Sequence, residues 1–487
     1  MSRSGTTRAG TAAPDGSHVH RSTSGPGRRR RLVGAVSVVL LALGIAATGA
    51  AGPAAAQSAD LAQGKTVTVS NVYQNQTQYA GAKAVDGNDT TRWATDYGVT
   101  SATLVVDFGT TTRFNKVLIK EYSSRITGFT IDQWLNNAWS TVYTGTTAGA
   151  AKAAYFPAVS TQKVRLNITK ASAPPTIYTF GVYQDYFADH LAASPKDSGL
   201  KMSGYYVWDG SVIQDTDGTY NLFSSRWPTS TGFPDGYRAH SEIVRATSST
   251  LTGPYTFKEV VLKGDGSGWD SSMVHNPAIV KSGNTYVLYH IASGNSRQIG
   301  YATATSLAGP WTESSTPIAN LPSDVNNPAP FVKPDGSVLL VYRYTPSGSS
   351  ALKLGVATAP SYDGTYTVRN TDLVPGVSLE DPYLWYAKDH FEMLVEDNLG
   401  TLTGTKDNGG HLVSDDGITW RQNDPVTAYT PTIRWTDGTS TTANRRERNS
   451  LVLDGSGQAV ALVTAVQVGS ETWTNVEPLS PSYPTTP

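Results

Sequence analysis

The side chains best suited to chemistry sit in five short segments far apart in the chain. They are Trp208-Asp209-Gly210, His275-Asn276-Pro277, Asn326-Asn327-Pro328, Glu380-Asp381-Pro382 and Arg446-Glu447-Arg448. Carboxyl groups in such numbers suit acid–base work, in which one gives a proton while another activates water or attacks carbon. The proton donor must be kept protonated near neutral pH by burial or by a neighbouring carboxylate. The adjacent pair Glu380-Asp381 offers that coupling only if both face one cavity, and successive strand residues ordinarily face opposite sides. His275 follows Trp269-Asp270, and a carboxylate beside an imidazole would fix one tautomer and raise its pKa. Asp209, Glu380, Asp381 and His275 are therefore the catalytic candidates. Trp208, Asn276, Asn327, Arg446, Glu447, Arg448 and Asp270 are the candidates for substrate contact. An inward arginine among them would suit a bidentate contact with a carboxylate or a hydroxyl pair. Asn276 and Asn327 each precede a proline, and the ordinary alternative for them is a turn or a buried polar link. Trp227, Trp385 and Tyr383 suit either apolar subsites or the core.

Segments this far apart can meet only if the fold repeats. From about residue 190 the chain does repeat. Each unit opens with a polar or Pro-containing motif, continues as a strand, turns at D-G or a similar pair, and returns as a Tyr/Leu/Val-rich strand. The openings are "WDGSVIQDTDGTYNLFSSRW", "HNPAIVKSGNTYVLYHI", "NNPAPFVKPDGSVLLVYRY", "EDPYLWYAKDHFEMLVED" and "RERNSLVLDGSGQAVALVTAV". A second signature follows the first four, as in "QIGYATATSLAGPWT" and "KLGVATAPSYDGTYT". Five units of about sixty residues with about four short strands each predict a five-bladed β-propeller over 190–475, whose inner strands converge on one channel mouth. A double sandwich would not repeat the pattern five times.

Upstream, 60–185 reads as a compact all-β unit, with strands such as "ATLVVDFG", "FNKVLIKEY", "KVRLNITK" and "TFGVYQ" separated by Gly, Asn, Thr and Pro. Asp86, Asn88, Asp89 and Thr91 crowd one turn, which predicts either a hard-cation site holding Ca²⁺ through Asp86 and Asp89 or an Asx-type turn without metal. Trp134 and Trp139 flank a loop and suit either a sugar platform or the core. The fold class is thus all-β, a sandwich followed by a propeller.

Composition agrees and excludes alternatives. Among 487 residues, Lys plus Arg number 38 and Asp plus Glu 39, a net charge of −1 that leaves no general electrostatic grip on nucleic acid. With no cysteine, disulfides, thiolate metal sites and cysteine nucleophiles are excluded. The leader through residue 56 combines Arg28-Arg29-Arg30-Arg31, an apolar run from Leu32 and the small-residue cluster Ala54-Ala55-Ala56. This is the pattern of a cleaved export signal, also compatible with twin-arginine export. The expectation is a secreted, extracellular monomer with no membrane span after cleavage. Residues 476–487 read as a Pro/Ser/Thr-rich tail.

Two resemblances sharpen this reading. Through "KAVDGNDTTRWATDYG", "LVVDFG" and "VRLNITKASAPPTIYTFGVY", residues 60–185 resemble the coagulation factor 5/8 type C, or discoidin-like, fold, which includes carbohydrate-binding modules. Through the blade-opening and x-I-G-x-A-T-S…G-P-[WY] patterns, about 195–470 resembles the five-bladed glycoside hydrolases of the family 43 superfamily, near families 43, 117 and 32/68. That resemblance implies a first-blade Asp as base, matched by Asp209, a second-blade Asp, replaced here by Asn276, and a Glu as acid. The nearest motif-borne Glu is Glu380, and the family 117 enzymes suggest His275 as an alternative acid. The implied function is hydrolysis of glycosidic bonds in a polysaccharide or oligosaccharide, with an appended binding module and no cofactor required for catalysis. The rivals are a sialidase-like enzyme, suggested by the Asp-box-like "SDDGITW", a polysaccharide lyase, and a non-catalytic carbohydrate-binding propeller.

Overall fold

A computed structural model describes residues 59–483 except Asn295; the segment through residue 56, expected to be an export signal, lies outside the described residues. Two long strands, Ala102–Glu121 and Lys152–Ala171, form the spine of the N-terminal sandwich. Their pairing breaks register between Asp107 and Thr112 and again after Phe114, so each strand bends to serve both layers. Inward side chains alternate with outward ones, as in Leu104, Val106 and Phe108, and pack with Trp93, Phe114, Ile119, Leu166 and Phe180. Burying each large apolar side chain contributes about 1.5–3 kcal/mol, which fixes the register.

The rest of the chain forms five blades. Blades 1 to 4 are four-stranded antiparallel sheets running in chain order from the channel outward. Their inner strands are Tyr205–Gln214, Met273–Ser282, Asn326–Val332 and Glu380–Ala387. Blade 5 has three sequential strands, with Arg445–Leu453 innermost, and a separate small hairpin, Thr432–Arg434 with Ser440–Thr442, precedes it. The five inner strands neighbour one another in a ring, the first against the fifth.

The ring is closed by the segment that enters the propeller. Residues 191–200 run along the outer edge of blade 5, with reciprocal bonds between the Leu200 and Thr474 backbones at 3.0 Å and Ala192 N–H donating to the Pro478 carbonyl at 2.9 Å. Gly199 has φ +80°, and a Cβ there would stand 1.8 Å from the Thr474 carbonyl oxygen, so only glycine fits. Of the expected tail over 476–487, residues 484–487 lie outside the described residues, and the part through Tyr483 is instead strand, since Glu471–Tyr483 is one continuous edge of blade 5. Its Pro and Ser residues are tolerated because an outer strand leaves part of its backbone unpaired.

One local feature recurs in every blade. Asp209, Asn276, Asn327, Asp381 and Arg448 all have positive φ, between 51° and 60°, and in each inner strand the ladder slips register at that residue. Each blade therefore opens with a β-bulge that re-aims two successive side chains, and Asp and Asn are the non-glycine residues that tolerate this left-handed backbone best. Arg448 is the exception, and strain of order 1–3 kcal/mol persists at such positions only where the surroundings over-determine them.

Candidate active site

The five bulges surround one axis. Asp209 accepts from Ser225 N–H at 2.9 Å and from Ser225 Oγ at 2.8 Å, and Ser225 Oγ in turn accepts from Asn276 N–H at 3.0 Å. Asn276 Nδ2 donates to Asn326 Oδ1 at 2.7 Å, and Asn327 Nδ2 donates to Asp381. Asp381 also accepts from the Arg448 backbone N–H and NH1, both at 2.7 Å, and Ser450 Oγ returns to the Gly210 carbonyl at 2.7 Å. A belt of hydrogen bonds thus passes through all five blades. Asn276 and Asn327 are links in it as well as walls of the cavity above.

That cavity has a volume of about 260 Å³ and opens at the mouth of the channel. The bulge explains why Glu380 and Asp381, though successive in a strand, both line it. Trp208, Trp227, His275, Glu447 and Arg448 line it too. Asp209 does not: it is 2% exposed and lines the narrow channel beneath. Burial pushes its pKa up to about 7, against the opposing pull of Arg448 and the Ser225 bonds.

Asp381, Glu396 and Glu447 bring carboxylate oxygens within 4.8 Å of one another. Three such groups cannot all carry full charge in a poorly hydrated site. Burial, followed by the charge of Asp381, pushes Glu447 up to about 8 and raises Glu380 as well. Burial and then Glu447 hold Glu396 well above the usual carboxylate range. Arg448 neutralises Asp381 and is itself kept charged, since its carboxylate partners outweigh burial. Glu380 is spanned by Arg343 NH2 at 3.4 Å and Asn398 Nδ2 at 3.1 Å. The mouth therefore offers carboxyl groups biased towards protonation beside one tied to a buried cation, the asymmetry that acid–base catalysis needs.

Several expectations are corrected. His275 does not pair with Asp270; its Nδ1 meets Ser241 Oγ at 2.8 Å, and its Nε2 lies 4.0 Å from Asp209. Burial, then Arg448 and Arg297, push its pKa well down, so it stands as a neutral imidazole stacked on Tyr237 at 4.8 Å. Asp270 is outside the cavity, and its nearest acidic influence is Glu313. Arg446 turns into blade 5, where it pairs with Glu477 and donates to the Thr430 carbonyl at 3.0 Å. Trp385 is core, packed on Leu394, Leu451 and Tyr483, and Tyr383 donates to the Leu451 carbonyl. In the sandwich Asp86 and Asp89 face different partners: Asp86 accepts from Thr91 and pairs with Lys83, whereas Asp89 pairs with Lys120 at 2.6 Å and Thr179. Trp134 and Trp139 form a cross-strand pair 5.0 Å apart with Arg165 over Trp139.

Sequence reasoning missed Arg343 and Glu396. Both lie on second strands, directly opposite the residue before the bulge: Arg343 faces Asn326, and Glu396 faces Glu380. Their signal was charge inside "LLVYRY" and "MLVED", segments otherwise apolar at core positions.

Residues 66–179 match the F5/8 type C domain. The chain therefore couples an F5/8 type C domain to a five-bladed propeller. It is 31% identical over 137 residues to a putative alpha-L-fucosidase 1 of Oryza sativa subsp. japonica, covering 27% of this chain and 26% of that protein. It is 33% identical over 128 residues to a probable arabinan endo-1,5-alpha-L-arabinosidase A of Aspergillus flavus, covering 25% of this chain and 35% of that protein. The chain thus spans about a quarter to a third of the length of these curated relatives. Among solved structures, a thermostable family-43 glycoside hydrolase aligns with a TM-score of 0.44 at 14% identity, over 58% of this chain and 92% of that one.

Proposed function

We propose that the protein is a glycoside hydrolase whose propeller mouth cleaves glycosidic bonds of a polysaccharide or oligosaccharide held by the F5/8 type C domain. The observation that carries this reading is the set of carboxyl groups with divided protonation in one 260 Å³ cavity. In our assignment Glu447 is the general acid, since a group with pKa about 8 still holds its proton at neutral pH. Glu380, whose raised pKa is opposed by the charges of Arg343 and Arg448, activates water or attacks the anomeric carbon in its ionised form. Asp381 sets the protonation of both through its charge and positions Arg448. Trp208 and Trp227 supply an apolar wall for a sugar ring.

The binding module holds the polymer through a tyrosine–arginine face. Tyr97 is 82% exposed and packs edge-on to Tyr73 at 5.6 Å, while Arg92 lies over Tyr79 and Tyr122. Such rings present flat apolar area at small entropic cost, and tethering raises the local concentration of substrate. Export of the mature protein belongs to this proposal and rests on the leader sequence.

The test is to incubate the protein with plant, algal and bacterial polysaccharides and identify released sugars. Glu447→Gln and Glu380→Gln should each lower the rate about 100- to 10,000-fold while leaving the thermal transition in place. An unsaturated product absorbing in the near ultraviolet would instead indicate a lyase, and unaltered rates in both variants would remove these residues from the chemistry.

A further inference from the structure

Among the described residues, Arg343 is the buried cationic side chain with the most unpartnered nitrogens. It lines the mouth cavity yet is only 6% exposed, and its Nε and NH1 have no hydrogen-bond partner. Its one polar contact is the long NH2 bond to Glu380. A buried guanidinium with unmade bonds is costly unless a ligand completes it. Arg448 Nε, on the same cavity, is also unpartnered.

The charge count points the same way. Arg238, Arg297, Arg343, Arg445 and Arg448 line the cavity against Asp235, Glu380, Asp381 and Glu447. Arg297 is held in two-point contact by Asp324, with both bonds 2.9 Å, Arg448 by Asp381, Arg445 by Glu447 at 3.3 Å and Arg238 by Asp235 at 3.2 Å. Arg343 is left with Glu380 alone, which it shares with Asn398. With Asp324 counted, five carboxylates match these five arginines, so a positive excess arises only where Glu447 or Glu380 holds a proton. A neutral hydroxyl can accept one bond from Arg343 but cannot answer that excess.

We propose that the mouth cavity selects a sugar bearing an anionic substituent, a uronate carboxylate seated on Arg343, with the other arginines supplying the attractive field. This rests on the carbohydrate reading above and adds to it the charge of the sugar. A carboxylate fits the planar guanidinium best, and a sulfate ester offers the same charge with different geometry.

The experiment measures binding on full-length Glu447→Gln protein, which mimics the protonated acid and halts turnover, so hydrolysis is not needed for the readout. The probes are glucuronate- and galacturonate-terminated trisaccharides, their methyl esters, and the matching neutral and sulfated trisaccharides. At least one uronate is expected to bind about 10- to 100-fold tighter than its own methyl ester, the span of charged hydrogen bonds. That preference should shrink with added salt and be lost in Arg343→Gln. Tighter binding of the sulfated probe than of either uronate would reassign the anion and overturn the uronate claim. Equal binding of acid and ester, or no binding of any acid, overturns the proposal outright. If Arg343→Gln does not fold, the acid-to-ester ratio in the Arg343-containing protein still decides. Hydrolysis of neutral glycans without acidic preference would sink this inference and leave the hydrolase reading standing.

Discussion

The most informative single change is Asp381→Asn. The residue sits at φ 51°, which asparagine tolerates as well as aspartate, so the substitution removes charge with little effect on the bulge. Asp381 is 3% exposed and is the direct counter-ion of Arg448, whose side chain is 12% exposed. Breaking a buried pair costs about 3–5 kcal/mol when the surviving charge is left alone. Here Asp209 still attracts Arg448, which places the expectation at the low end, about 3 kcal/mol. That corresponds to a fall in Tm of roughly 5–10 °C for a domain of this size. The same change removes the largest charge contribution to the raised pKa of Glu447, so that pKa should fall. Because Glu447 donates only while protonated, the alkaline limb of the pH–rate profile, expected near 8 in the unsubstituted protein, should move to lower pH. Calorimetry reads the first effect, and a carboxyl ¹³C titration of Glu447 reads the second without any substrate. A Tm shift of less than about 1 °C, or an unmoved Glu447 titration, would refute the account of Asp381 as the hub of the site.

Three further outcomes follow from other parts of the fold. Gly199→Ala should destabilise the propeller by well over the ~1 kcal/mol of left-handed strain, because its Cβ meets the Thr474 carbonyl, whereas Gly204→Ala, with similar φ and open space, should cost only the strain; equal melting of the two would remove the closure argument. Burial alone would raise Asp185 and Glu392, yet His190, Lys388 and Lys116 around the first, and Lys388, His390 and His411 around the second, hold both below their ordinary values. Their contribution to stability is therefore present above about pH 4 and lost as pH falls further, and Asp185→Asn should flatten the acid arm of a Tm-against-pH curve. Tyr97→Ala should reduce retention on insoluble polysaccharide while leaving Tm within about 1 °C, since the ring is 82% exposed; unchanged retention on every polysaccharide bound by the parent protein would exclude that face.

Much of the architecture was written locally. Repeats of strand, D-G turn and strand predict blades because hydrophobic period and turn chemistry act over a few residues. The x-[DN]-P openings are legible for the same reason: Asp and Asn are the residues that a left-handed bulge accepts. Which candidates meet is a different matter. Asp270 lies five residues before His275 yet serves another contact, and Arg446 is flanked by two cavity residues but points into blade 5. Arg343 reaches the mouth, and Glu396 the carboxylate cluster with Asp381 and Glu447, only because second strands stand in register with the bulges.

The sequence by itself determined two all-β units, the number of blades and the left-handed Asp or Asn at the head of the first four, since these depend on short-range preferences repeated along the chain. Only the tertiary structure decided which carboxyl groups hold protons, that His275 is neutral, and that one arginine is left facing an incomplete site. Protonation and pairing depend on distances across blades and on exclusion of water, and neither is set until the ring closes.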